Sequence, residues 1–284
     1  MTTRALVLGG GGVAGIAWET GLLVGLAEAG IDLRDADLFV GTSAGSTVAA
    51  QLTSGLTLDE LFQRQVDPAL QARELTPQPD FQKIIADFTH ALEEGGTTSE
   101  ILQRIGALSL ATPTVPEAER REVIVSRLPV HSWPQSRLEI VAVDAFSGER
   151  TIFKRESGVE LVDAVAASCA VPCVWPPTTI KQSRYIDGGC YSIANVDLAA
   201  GFDKILLLQP DAPPMLLAES LEEQVERLLR QGAQIEVIAP NEAMKAAVAA
   251  VGGNALDPSL REISANLGRE QSRHEAARVA ALWQ

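Results

Sequence analysis

Hydrophobic positions along this chain fall into short runs and helical repeats. Residues Arg4 to Leu8 form a short apolar strand, Gly9 to Gly12 a glycine loop, and Val13 to Glu28 an apolar helix stopped at Gly30. A second strand is expected from about Asp37 to Val40, with Gly41 to Ser46 turning into an apolar helix that reaches Leu52. The opening is therefore β-α-β-α, the pattern of a parallel sheet with crossover helices. From Thr57 to about Pro134 the pattern changes to helices with little strand signal. Thr57 and Glu60 make a capping box, and Phe81, Ile84, Ile85, Phe88 and Leu92 recur at helical spacing. Pro113, Pro116, Pro129 and Pro134 punctuate the second half of this stretch, which reads as a helical insertion (about 57–134) over the sheet.

Strand patterns return at Leu138 to Val143 and Thr151 to Lys154, flanking a turn at Ser147 and Gly148. A helix from about Val159 to Cys169 stops before Pro172. Short strands follow at Arg184 to Ile186, Lys204 to Leu208 and Ile235 to Ile238, with helices around Glu219 to Arg230 and Asn241 to Val251. The stretch from Asp257, with Pro258 in a first-turn position, reads as one long or two shorter helices. The expected fold class is α/β, a three-layer α/β/α arrangement of a mainly parallel sheet, with residues 1–284 forming a single domain.

Composition narrows the function. The 284 residues carry 23 Lys and Arg against 37 Asp and Glu, a net charge of −14, which argues against a nucleic-acid partner and against docking on anionic lipid through a basic patch. Cys169, Cys173 and Cys190 are too few for a disulfide framework and, with His90, His131 and His274, make a poor zinc set; they read as buried small residues in a reducing compartment. The first 29 residues share Arg4, an apolar stretch and the small residues Ala27 and Ala29 with a secretion signal, but four consecutive glycines and Glu19 interrupt it. No apolar run reaches the roughly 18 residues of a membrane span, so a cytoplasmic protein is expected.

Three glycine-marked turns carry the candidate chemistry. Gly41-Thr42-Ser43-Ala44-Gly45 is a G-x-S-x-G between a strand and a helix, where a sharp turn projects the serine hydroxyl and the helix aims free amides at the same point. Gly9 to Gly15 contains G-x-G-x-x-G at Gly10, Gly12 and Gly15, which suits a dinucleotide. No acid ends the second strand, however, since Asp32 and Asp35 precede it. The other use of such a loop is an oxyanion hole. Tyr185-Ile186-Asp187-Gly188-Gly189 places an acid at a strand end, either as an ordinary Asp-Gly turn or as the base that a serine nucleophile needs. Among the histidines, His90 lies in the insertion and His131 beside Trp133. His274 lies on a polar helix, although the order Ser43, Asp187, His274 matches a hydrolase triad.

Together these elements resemble the patatin-like phospholipase family. Ala167-Ser168-Cys169-Ala170-Val171-Pro172 before Trp175-Pro176-Pro177, and Asn195-Val196-Asp197-Leu198 after Asp187-Gly188-Gly189, extend the similarity over about residues 4 to 55 and 138 to 210. The resemblance implies a Ser-Asp dyad, with Ser43 as nucleophile, Asp187 as base, the amides of Gly10, Gly11 and Gly12 as oxyanion hole, and Gly15, Gly41, Gly45, Gly188 and Gly189 as motif glycines. It implies an acyl-enzyme, a lipid or other acyl ester as substrate, no cofactor and no metal. Two positions depart from the family pattern, Ala14 where Arg or Lys is frequent and Val196 where proline is, and the first makes acyl-ester hydrolysis a firmer expectation than phospholipid preference. Trp175 is a pocket candidate near Asp187. Phe81, Ile85 and Phe88 are expected to pack on the sheet, with an acyl groove as their alternative use, and any contact with a lipid surface is expected to be weak and hydrophobic. The competing readings are a noncatalytic lipid-binding relative, a Ser-Asp-His esterase and a nucleotide-binding protein.

Overall fold

The computed structural model describes residues 2–77, 79–210 and 219–284. The first half of the chain contributes β1 (Arg4–Leu8), α1 (Gly12–Glu28), β2 (Leu38–Thr42), α2 (Ala44–Leu52), α3 (Leu58–Val66), α4 (Phe81–Glu93), α5 (Thr98–Ala111) and α6 (Glu117–Arg127). The second half contributes β3 (Leu138–Asp144), β4 (Arg150–Phe153), α7 (Leu161–Ser168), β5 (Thr178–Ile180), β6 (Ser183–Asp187), β7 (Lys204–Leu208), α8 (Leu221–Arg230), β8 (Gln234–Ile238), α9 (Glu242–Ala250) and α10 (Leu260–Trp283).

The eight strands form one sheet in the order β5-β6-β3-β2-β1-β7-β8, with β4 also on β3. Strands β3, β2, β1, β7 and β8 are mutually parallel, whereas β4, β5 and β6 pair antiparallel. Central strands read as continuous apolar runs because both faces are covered. Leu6 and Leu8 of β1 and Leu206 and Leu208 of β7 join the large core under α1, α2, α7 and α10. Their neighbours Ala5, Val7, Ile205 and Leu207 join a second core that includes Leu228 of α8. This is the two-residue alternation of a strand written into both helical layers. Helix α1 is buried along nearly its whole length, from Val13 to Leu26, because α10 lies across it and Trp18 Nε1 donates to Gln271 Oε1 at 3.1 Å.

The helical insertion divides between the faces. Helix α3, closed by the expected Thr57–Glu60 capping box, packs on α1 and α10, while α6 packs on α7. Helices α4 and α5 lie on the other side, where Ile101, Leu102 and Ile105 meet Val143 and Ile186. Phe88 and Leu92 pack there too, but Phe81 and Ile85 are exposed, so of the three residues expected to pack on the sheet only Phe88 does. The C-terminal segment is one helix, and it begins at Leu260, after Pro258 rather than around it. No helix among the described residues is long and apolar enough to cross a membrane.

Candidate active site

One strand junction assembles the site. β2 runs parallel to β3 and ends with Thr42 opposite Val141. β6 runs antiparallel to β3 and ends with Asp187 opposite Ala142, the very next residue. Because β4 takes the other edge of β3 along Ile140 to Val143, β2 and β6 occupy successive stretches of the same edge and meet C-terminus to C-terminus. The residues leaving that junction are Ser43 on one side and Asp187, Gly188 on the other.

Ser43 has φ 52° and ψ −115°, a strained conformation for a residue with a side chain, and such strain persists only where neighbours over-determine it. Its N–H donates to Ser168 Oγ at 2.9 Å, and its carbonyl accepts from Ser46 Oγ at 2.7 Å and from the Cys169 thiol at 3.2 Å. At Gly45 a side chain is impossible, since a Cβ would lie 2.0 Å from the Leu8 carbonyl oxygen. That approach lets the Gly45 amide donate to Gly9 O at 2.9 Å and locks the elbow to the glycine loop.

The loop itself is packed on three sides. A Cβ on Gly10 would lie 3.0 Å from Ile193 Cδ1, one on Gly11 2.3 Å from Pro210, and one on Gly12, whose φ is 63°, 2.7 Å from the Ala255 carbonyl oxygen. The Gly10 amide donates to Ile193 O at 2.9 Å, so it is not available to an oxyanion and the expectation for that residue is corrected. The amides of Gly11 and Gly12, and that of Ala44 at the head of α2, have no acceptor among the described residues. Ala44 was not singled out in the sequence, although it directly follows the serine at a helix start.

Asp187 is 4 % exposed. Its Oδ1 accepts from the Gly189 amide at 2.7 Å, and its Oδ2 is buried with no hydrogen bond of ordinary geometry. Burial pushes the carboxyl up to about 7, against the opposing effects of the Ser43 hydroxyl, the Gly189 amide and Arg120. Asn195, also fully buried, ties the two turns together: its Nδ2 donates to Thr42 Oγ1 at 3.1 Å and to Ser192 O at 2.7 Å, with Gly188 O at 3.4 Å. Arg150 anchors the same segment with two 2.7 Å bonds to Asp197. A small cavity, with room for about one water, adjoins Ser43 and is lined by Gly12, Val13, Arg120, Cys169, Trp175 and Leu256 among others.

A model of the patatin-like phospholipase family matches residues 6–200. The chain belongs to the patatin-like phospholipase family. In this patatin-like protein β7 and β8 lie beyond the matched region yet complete the sheet, since β7 pairs along all of β1. No curated protein matches it by sequence. Among solved structures, VipD from Legionella pneumophila aligns with a TM-score of 0.52 at 13% identity, covering 98% of this chain and 67% of VipD. The ExoU–SpcU complex from the type III secretion system of Pseudomonas aeruginosa aligns at 0.46 and 18% identity, covering 100% of this chain and 52% of that chain. The patatin-like chain thus spans about two thirds of the first and half of the second.

The histidines stay apart from the patatin-like site. His274 is exposed on α10, His90 is exposed beside Glu94, and His131 is exposed with Nε2 against Val125 O. The three cysteines are free and buried. Ala14, where the family often has a cation, is buried and donates its amide to Ala255 O.

Proposed function

We propose that this chain is a serine hydrolase of lipid acyl esters that works through a Ser43–Asp187 dyad. The observation that carries the reading is the junction on β3, where a serine on a strained elbow and a buried carboxyl leave adjoining strand ends. A carboxylate near pKa 3.9 is a weak base, whereas one raised to about 7 is matched to proton transfer at neutral pH.

In the proposed cycle Asp187 accepts the Ser43 hydroxyl proton as Oγ attacks the ester carbonyl carbon. The negative charge developing on the carbonyl oxygen is held by the amides of Gly11, Gly12 and Ala44, which spend no hydrogen bonds on the described protein. Collapse of the tetrahedral intermediate breaks the ester C–O bond, and the proton on Asp187 passes to the departing alcohol. Asp187 then takes a proton from water, hydroxide attacks the acyl-enzyme, and the fatty acid leaves as Ser43 recovers its proton. The dyad needs no histidine, in keeping with the exposed position of His274. An acyl chain must widen the cavity beside Ser43 to enter.

The test is hydrolysis of p-nitrophenyl esters of increasing chain length by the wild type, Ser43→Ala, Asp187→Asn and His274→Ala. Activity lost in the first two and kept in the third is the expected result. A folded wild type that turns over no ester and takes no fluorophosphonate label at Ser43 refutes the hydrolase reading, and loss of activity in His274→Ala refutes the dyad.

A further inference from the structure

Helix α1 carries into the core an ionisable side chain that the proposed chemistry does not use. Glu19, which interrupts the apolar run of the helix, is fully buried, and neither of its carboxyl oxygens has a hydrogen-bond partner of ordinary geometry among the described residues. Burial pushes the carboxyl well above the ordinary range, opposed by the Gly9 amide alone, with no charged side chain acting on it. That amide already donates to Leu208 O at 2.9 Å. An anion with neither a counter-ion nor a donor of its own is too costly to bury, so Glu19 is a neutral acid. A neutral carboxyl brings an O–H, and that donor needs an acceptor.

An acceptor lies at the same glycine. Gln209, the residue after β7, is buried, and its Oε1 is 2.7 Å from where a Cβ on Gly9 would stand. Its Nε2 donates to Pro210 O at 2.8 Å and its backbone N–H to Ile238 O at 2.9 Å, which fixes the side-chain amide, yet Oε1 is buried without a donor. A buried acid and a buried acceptor, each without a partner and both against Gly9, complete each other. What they brace is the glycine loop. The Pro210 Cβ stands 2.3 Å from where a Cβ on Gly11 would lie and 3.2 Å from where one on Gly15 would lie, so the Gln209–Pro210 turn is the wall behind the loop. The Gly9 carbonyl in turn accepts from the Gly45 amide of the serine elbow.

We propose that Glu19 is a positioning residue whose carboxyl O–H donates to Gln209 Oε1, clamping α1 to the Gln209–Pro210 turn and so holding the Gly11 and Gly12 amides where the oxyanion develops. The proposal rests on the hydrolase reading and adds what keeps the oxyanion donors in place. Glu19 does not line the cavity beside Ser43, so it acts through the loop and not on the substrate. Loosening the loop withdraws stabilisation from the transition state while leaving ground-state binding alone, which places the effect in kcat.

The test uses side chains of matched length: Glu19→Met, Glu19→Gln, Gln209→Met and the double variant Glu19→Met/Gln209→Met. Turnover of a soluble p-nitrophenyl ester is counted per serine titrated with a fluorophosphonate. The expected result for Glu19→Met and for Gln209→Met is a fall of about tenfold or more in kcat, with KM within about twofold. Glu19→Gln, whose amide can still donate to Gln209 Oε1, should recover most of the loss, and the double variant should be no slower than the slower single one. A Glu19→Gln enzyme as slow as Glu19→Met overturns the proposal, as do losses that multiply in the double variant. So does a normal kcat per titrated serine in Glu19→Met, even with a lowered melting temperature, because Glu19 is then a structural residue only. Infrared difference spectra of the wild type against Glu19→Gln and Gln209→Met at pH 8, where Asp187 is mostly ionised, need neither turnover nor a folded Glu19→Met. A protonated-carboxyl band that vanishes in Glu19→Gln and moves to higher frequency in Gln209→Met is expected, and its absence from the wild type overturns the hydrogen bond. If the wild type shows that band but hydrolyses no ester and takes no label, the hydrolase reading fails and the Glu19–Gln209 bond stands.

Discussion

Replacing Asp187 by Asn should stabilise this protein, and by an amount that depends on pH. The side chain is 4 % exposed, and its carboxyl titrates at about 7 in the folded state against 3.8 for the free group. Between those values the folded chain binds the proton more tightly than the unfolded chain, so stability falls as pH rises through the window and levels off above it. A shift of roughly 3 pKa units at about 1.4 kcal/mol each corresponds to about 4 kcal/mol, of which about 2 to 3 kcal/mol is lost between pH 5 and pH 8. Asparagine carries no charge to desolvate, and its Oδ1 can still accept from the Gly189 amide. The stability advantage of Asp187→Asn over the wild type should therefore grow by about 2 to 3 kcal/mol from pH 5 to pH 8, seen as a widening gap of about 5 °C in melting temperature. Urea titrations followed by far-ultraviolet circular dichroism at the two pH values measure it directly. A gap that stays constant, or narrows as pH rises, would falsify the claim that burial of this carboxylate costs the fold its stability.

Other expectations test the rest of the site. The kcat/KM of the wild type for a soluble ester should fall about tenfold per pH unit below about 7, where Asp187 becomes protonated; a profile flat down to pH 5 removes it as the base. Gly45→Ala should fail to yield folded protein or lose several kcal/mol (of order 4 or more) in urea, because its Cβ meets the Leu8 carbonyl; near-native stability would contradict the packing at the elbow. Asn195→Ala removes the amide that joins Thr42 to the Ser192 and Gly188 carbonyls, and should cost about 2 to 4 kcal/mol and about tenfold or more in kcat. Wild-type kinetics in that variant would show that the two turns hold themselves. His274→Ala, an exposed change, should leave kcat/KM within about twofold, as a plate assay can verify.

The parts of the site that were legible in the sequence are those marked by glycine. Ser43, Asp187 and the first loop stand at strand ends where close backbone approach excludes side chains, and that constraint leaves a readable trace. Arg120 left none. In Glu117 to Arg127 it is one charge among many on a polar helix, and its burial against Trp175 beside the Ser43 cavity becomes visible only in three dimensions. Asn195 lies within a motif, but its bridging role depends on three-dimensional proximity to Thr42. Strand β5 is not legible in the sequence because Thr178, Thr179 and Ile180 follow two prolines and are too few to show a period. The mainly parallel sheet was expected from the alternating opening. The antiparallel direction of β6, which brings its acid to the serine, is a matter of chain path rather than local pattern. Gly10 illustrates the reverse error, since a glycine in the right loop still spends its amide on Ile193.

The meeting of β2 and β6 on a single edge of β3 also determines when the chain can become reactive. As the polypeptide leaves the ribosome, the serine elbow emerges early, but its acid is synthesised much later and reaches it only after β3 has docked and β6 has returned alongside. Under the proposed dyad, a nascent chain carries the serine without its base and should hydrolyse no ester until the sheet closes. The same wiring ties the proposed dyad to the integrity of the whole sheet: in a urea titration, hydrolysis and sheet structure should disappear together, with no active intermediate between them.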